Sequence, residues 1–94
     1  MLMWKLKLLR KVIARDEELC VRCGKLAVDV HHIIPKSKAA KNSRTVWREE
    51  NMICLCRACH THGQKKAMRR SLLALMRDRY GYDMAWAGDF GWVV

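Results

Sequence analysis

Long hydrophobic runs, repeats, proline and acidic residues are what this chain has least of. No stretch approaches the ~20 consecutive apolar residues that span a bilayer, which excludes a transmembrane helix. The opening Met1-Leu2-Met3-Trp4-Lys5-Leu6-Lys7 breaks its apolar residues with lysines, so it makes a poor signal-peptide core. One proline and five glycines in 94 residues, without internal repeat or low-complexity tract, exclude fibrous and repetitive architectures. Acid is scarce: nine Asp plus Glu stand against 19 Lys plus Arg, for a formal net charge of +10. That imbalance argues against an acidic-surfaced protein and for a polyanionic partner, drawn by electrostatic steering and counterion release.

What is present is a compact set of apolar residues, with Leu, Val, Ile and Met recurring throughout, as in a folded chain. Its length allows one domain, 1–94, with a core motif over about 10–70 and a C-terminal helix and aromatic tail over 71–94. A core this small is marginal, so a metal staple is physically useful. The five cysteines are an odd count, and four of them fall in two Cys-x-x-Cys pairs, Cys20/Cys23 and Cys56/Cys59. This is metal-ligand spacing rather than a disulfide ladder, and it places the chain in a reducing, cytoplasmic compartment.

Two knuckles of this kind complete a tetrahedral four-thiolate zinc site. Such a site has no open position, so its ion is structural. Redox chemistry is the competing reading, and it requires cysteines that exchange disulfides. Cys54 also offers a Cys-x-Cys chelate with Cys56, but Cys56-x-x-Cys59 mirrors the first knuckle, so Cys54 reads as a small apolar strand residue.

Hydrophobic period predicts a helix over 3–18, with Leu6, Leu9, Val12 and Ile13 on one face. Gly24 closes the first knuckle. β-Branched residues over 27–34, ending before Pro35, predict a strand, and 51–55 its antiparallel partner. The basic loop between them, 35–50, contains Arg44 and Arg48, with a helical turn over 45–50. A helix is expected over 57–68 despite Gly63. Another is expected over 72–80, N-capped by Ser71 and ended by Gly81. The tail with Trp86, Phe90 and Trp92 folds back over the core, or else contacts a partner.

His31, His32, Asn51 and His60 are surplus to the zinc site. Hydrolysis of a phosphodiester needs a base, a cation at the phosphate and positioning. His32 can be the base, and His31 and His60 can hold a divalent ion. Adjacent strand residues point to opposite faces, which favours one ligand and one base over joint chelation by His31 and His32. Asn51 can brace the backbone of the long loop. His62 points away from His60 and reads as a surface residue. Lys65, Lys66, Arg69 and Arg70, with Arg44 and Arg48, are candidates for phosphate contacts.

Cys20-x-x-Cys23-Gly24, then Val30-His31-His32-Ile33-Ile34-Pro35, then Asn51 and Cys56-x-x-Cys59-His60 together resemble the HNH endonucleases with four zinc cysteines. The run Leu75 to Tyr82 is similar to the ends of small phage-type members. The resemblance implies an α+β, ββα-metal (treble-clef-like) domain, with a zinc-stapled β-hairpin flanked by N- and C-terminal helices. It implies His32 as general base, His31 (where relatives often have Asp) and His60 as ligands of the catalytic ion, and Asn51 as the loop brace. It also implies cleavage to 5′-phosphate and 3′-hydroxyl ends. Imidazole ligands favour Mn2+, Ni2+ or Zn2+, without excluding Mg2+. The partner expected is DNA, double-stranded and weakly sequence-specific, with no membrane. A homodimer or a larger phage or mobile-element complex is compatible with the sequence. The alternative is a non-catalytic zinc-stapled nucleic-acid-binding module.

Overall fold

The computed structural model describes residues 1–94. Helix α1 spans Met3–Arg15, strand β1 Asp29–His32, strand β2 Met52–Leu55, helix α2 Arg57–His62 and helix α3 Lys66–Tyr80. Short 3-10 turns lie at Lys36–Lys38, Glu49–Asn51 and Ala85–Phe90. No helix is long and apolar enough to cross a membrane. This is a small α+β architecture built around one antiparallel hairpin.

The hairpin register pairs Asp29 with Leu55, Val30 with Cys54, His31 with Ile53 and His32 with Met52. All four residues of β2 are buried, because the hairpin is covered on both faces. Met52 and Cys54 pack with Val12 of α1, while Ile53 and Leu55 join Leu72, Leu73 and Met76 of α3. Alternate side chains of one strand thus feed two apolar clusters. The aromatic tail does fold back, with Trp86, Phe90 and Trp92 against the larger cluster.

Several element boundaries differ from those predicted. Helix α1 stops at Arg15 rather than at Glu18. Glu17 (φ 56°) and Glu18 (φ 61°) take left-handed backbone there, turning the chain into the first knuckle. β1 is limited to Asp29–His32, and Asn51 closes a 3-10 turn instead of opening β2. The turn expected over 45–50 falls at Glu49–Asn51. The helix expected over 57–68 is broken after His62, and α3 then runs unbroken through Ser71. Ser71 is therefore not an N-cap; its hydroxyl donates back to the Ala67 carbonyl at 3.3 Å. Gly81, at φ 71°, does end α3, with its N–H donating to the Arg77 carbonyl at 2.9 Å.

A buried polar hub fastens α1 to the hairpin. Asp16 accepts from Arg15 Nε at 2.7 Å, from the Tyr80 hydroxyl at 2.5 Å and from the Cys54 backbone N–H at 2.9 Å. Arg15 also donates to the Glu49 and Met52 carbonyls at 2.7 and 2.6 Å. Burial raises the Asp16 pKa, but the hydrogen bonds from Arg15, Tyr80 and Cys54 outweigh it and hold the carboxyl below its ordinary value. Its stabilisation is therefore present above the unfolded pKa of about 4 and lost as pH falls through the lower folded value. Asp16→Asn should cost about 3 kcal/mol, because it strands a buried guanidinium. Urea unfolding of the zinc-loaded protein at neutral pH checks this, and a variant within 1 kcal/mol of wild type (about fivefold in the unfolding constant) would contradict it.

Candidate functional site

The two knuckles meet at the open end of the hairpin, where the start of β1 pairs with the end of β2. An isolated bridge between Leu19 and Leu26 closes the turn holding Cys20 and Cys23. Gly24, at φ 79°, supplies its left-handed corner. Cys56 follows β2 as the N-cap of α2, and Cys59 lies in the first turn of α2. The four sulfurs all lie within 4.8 Å of one another, and those of Cys23 and Cys56 are 3.6 Å apart. Sulfurs each about 2.3 Å from one zinc ion would stand about 3.8 Å apart, so the cysteines fit that ion.

Backbone N–H groups pull the Cys56 thiol down, and they do the same at Cys20 despite its burial. Burial pushes the Cys59 thiol up. Four adjacent sulfurs need a cation before all can be thiolates. Arg22 Nη1 points at the Cys59 sulfur at 3.4 Å. Cys54 stands outside the cluster: burial first, then Asp16, pushes its thiol up to about 12, which suits an apolar strand residue.

The imidazoles divide between the faces of the hairpin. His31 is buried and meets His60 of α2, with ring centroids 4.9 Å apart. Asp29, two residues back on the same face, holds His60 Nδ1 at 2.8 Å from its Oδ2. With Nδ1 so engaged, His60 Nε2 is left to face elsewhere. The His31 Nε2 is buried and has no hydrogen-bond partner. His32 lies on the other face against Trp47, centroids 4.5 Å apart, and its Nε2 is likewise buried and unpartnered. Lys5 and Lys36 place their ammonium groups 4.3 and 5.5 Å from the centre of the Trp47 ring.

Burial lowers both rings to about 4: His60 and Arg69 add to the effect at His31, and Lys36, His31 and Lys5 add to it at His32. Neutral imidazole is the form that binds a metal or accepts a proton. His31 and His60 come together; His32 makes no hydrogen bond to either. The cysteines form the only tight group of three or more metal-binding side chains.

Asn51 is fully buried. Its Oδ1 accepts from the Ile34 N–H at 2.8 Å, and its Nδ2 donates to the Ile34 and Val46 carbonyls at 3.0 and 2.9 Å. It thereby spans the long loop and secures the chain just after His32. Gly63, in right-handed helical backbone between α2 and α3, sits where space is short: a Cβ there would lie 3.1 Å from both the Cys59 carbonyl and His31 Nε2. The backbone passes too close to the His31 ring for any other residue to sit without displacement.

A family model described as HNH endonuclease matches residues 20–66, half of the chain. The chain belongs to the HNH endonuclease family. No curated protein and no solved structure matches it. The HNH match begins at the first zinc cysteine and ends at the start of α3, so it contains both knuckles, the hairpin and His60. Helix α1 and most of α3 lie outside it.

The basic candidates occupy different settings around this HNH core. Arg44 stacks on Trp4 with its guanidinium carbon 4.4 Å from the ring centre. Arg48 stacks on Trp86 at 4.8 Å and pairs with Glu50 at 2.6 Å. Lys65 is exposed at the start of α3, and Lys66, Arg69 and Arg70 line a groove with Lys38, Phe90 and Trp92. His62 is exposed. Asp29 and Trp47 are the site residues that sequence reasoning passed over. The i, i+2 spacing of Asp29 to His31 on a strand was the available signal for the first.

Proposed function

We propose that this protein is a metal-dependent endonuclease that hydrolyses DNA phosphodiester bonds. His32 acts as general base, and His31 and His60 hold a divalent ion beside the scissile phosphate. The observation that carries the reading is the His31–His60 pair: two facing imidazoles, one with an unpartnered buried nitrogen and the other braced by a carboxylate. A structural zinc site has no use for this arrangement.

When bound, the divalent ion would neutralise charge developing on the phosphate and leaving oxygen. The protein's own part is to keep His31 and His60 facing one another, to set the His60 tautomer through Asp29, and to fix the loop through Asn51. His32, on the opposite face of β1, is free to take a proton from water. Cleavage leaves 5′-phosphate and 3′-hydroxyl ends. The scattered positive charge favours contacts to phosphates and weak sequence preference.

Plasmid nicking tests the reading. Supercoiled DNA incubated with the zinc-loaded protein should be nicked, faster with Mn2+ or Ni2+ than with Mg2+. DNA left intact under every divalent ion would make the protein a zinc-stapled binding module instead. Asp29→Ala should keep the zinc and raise the Mn2+ concentration needed for half-maximal nicking by about tenfold or more, through loss of the His60 brace. An unchanged Mn2+ requirement would remove Asp29 from the site.

A further inference from the structure

A groove of about 420 Å³ separates the start of α3 from the C-terminal tail. Lys38, Lys66, Arg69 and Arg70 line it together with Phe90 and Trp92, and no carboxylate lines it. None of the four cations takes part in any of the ion pairs of the fold. Arg69 Nε is buried and has no hydrogen-bond partner.

Four like charges around one groove repel each other, and a polyanion relieves that repulsion. The aromatic wall narrows the choice of polyanion. The ring of Phe90 is fixed edge-on to Trp86, centroids 6.3 Å apart. Gly91, at φ 85°, turns the chain so that the Trp92 N–H donates to the Ala87 carbonyl at 3.1 Å. Trp92 is thus held in place while remaining only partly buried. Bases inside a duplex are already stacked on both faces and offer nothing to such a ring. An unpaired base does, and a basic groove with an aromatic wall is the recurring solution for single strands.

We propose that this groove holds an unpaired DNA strand flanking the scissile phosphate, with its backbone on Lys38, Lys66, Arg69 and Arg70 and a base stacked on Trp92. Gln64 also lines the groove and directly follows Gly63, where a Cβ would lie 3.1 Å from His31 Nε2, so the groove adjoins the reacting centre. The inference rests on the nuclease reading for the identity of the strand. It adds that the substrate is DNA with a frayed, nicked or single-stranded flank.

Binding to the zinc-loaded protein without other divalent ions tests it, using a labelled oligothymidylate of about ten nucleotides against a blunt hairpin of equal phosphate count. Wild type should bind the oligothymidylate more tightly. Trp92→Leu should weaken that binding about tenfold, the loss of one stack, and leave the hairpin unchanged. Equal affinity for the two probes, or an equal loss on both, would overturn the groove's role.

Should Trp92→Leu fail to fold, Lys38→Glu with Arg70→Glu decides, because both side chains are exposed. This double variant should abolish the preference and flatten the salt dependence of oligothymidylate binding by about two phosphate contacts. An unchanged preference would overturn the inference. Plasmid nicking with no oligothymidylate preference sinks the groove alone. A Trp92-dependent preference without nicking under any ion sustains the groove and sinks the nuclease reading.

Discussion

Cys59→Ser is expected to leave the chain unfolded at room temperature. Apparent binding energies of about 10–16 kcal/mol for structural zinc exceed or match the whole stability of a small domain, about 5–15 kcal/mol. Here the ion's four ligands come from two segments 33 residues apart at the closest sulfur contact. Removing one therefore frees both the first knuckle and the start of α2. A strong chelator should act on wild type as the substitution does. Far-UV circular dichroism with a zinc-release assay checks both. Cys54→Ala is the matched control: it should keep its zinc, since that thiol lies outside the cluster. A Cys59→Ser protein that melts with wild-type cooperativity would show that the fold does not depend on the ion.

The second large effect is expected at His32. His32→Ala should slow plasmid nicking by about 10²–10⁴-fold, the usual worth of a positioned general base. Its ring packs on Trp47, which borders both apolar clusters, but His32 itself belongs to neither. Zinc content and helicity should therefore hold, and DNA binding should persist because the basic residues proposed to contact phosphates lie elsewhere. The same substitution at His31 should instead raise the divalent-ion requirement, separating ligand from base. A His32→Ala protein that cuts at the wild-type rate would move the base to another residue.

The zinc centre was legible because its information is local. Two residues between cysteines, twice, dictate a knuckle whatever surrounds them, and the four sulfurs meet as the spacing predicts. The hairpin was legible for a related reason: β2 is apolar on both faces, and Val28, Val30, Ile33 and Ile34 mark the stretch that contains β1. The break after His62 was not. Nor was the close packing of Gly63: nothing near it in the sequence says that the ring of a residue in β1 will lie 3.1 Å from its missing Cβ. Ser71 misled because a good capping residue is also tolerated inside a helix when its hydroxyl bonds one turn back. Asp16 carries no signal in the sequence. Its value depends on Tyr80 and on the Cys54 N–H, both of which arrive only through tertiary structure. The division of His31 from His32 followed from strand alternation, but the carboxylate behind His60 required α2 to be seen lying across β1.

The hub at Arg15 and Asp16 has a practical consequence for anyone trimming the protein. Family similarity starts at residue 20, yet the side chains that seal the Met52–Cys54 face of the hairpin come from Val12, Arg15 and Asp16. A fragment cut to the recognisable motif would carry every metal-binding side chain and still present an unsealed apolar surface to water. It should precipitate, or recruit its neighbours as a substitute lid. The leading helix is thus half of the wall behind the chemistry, though it contributes no atom to it.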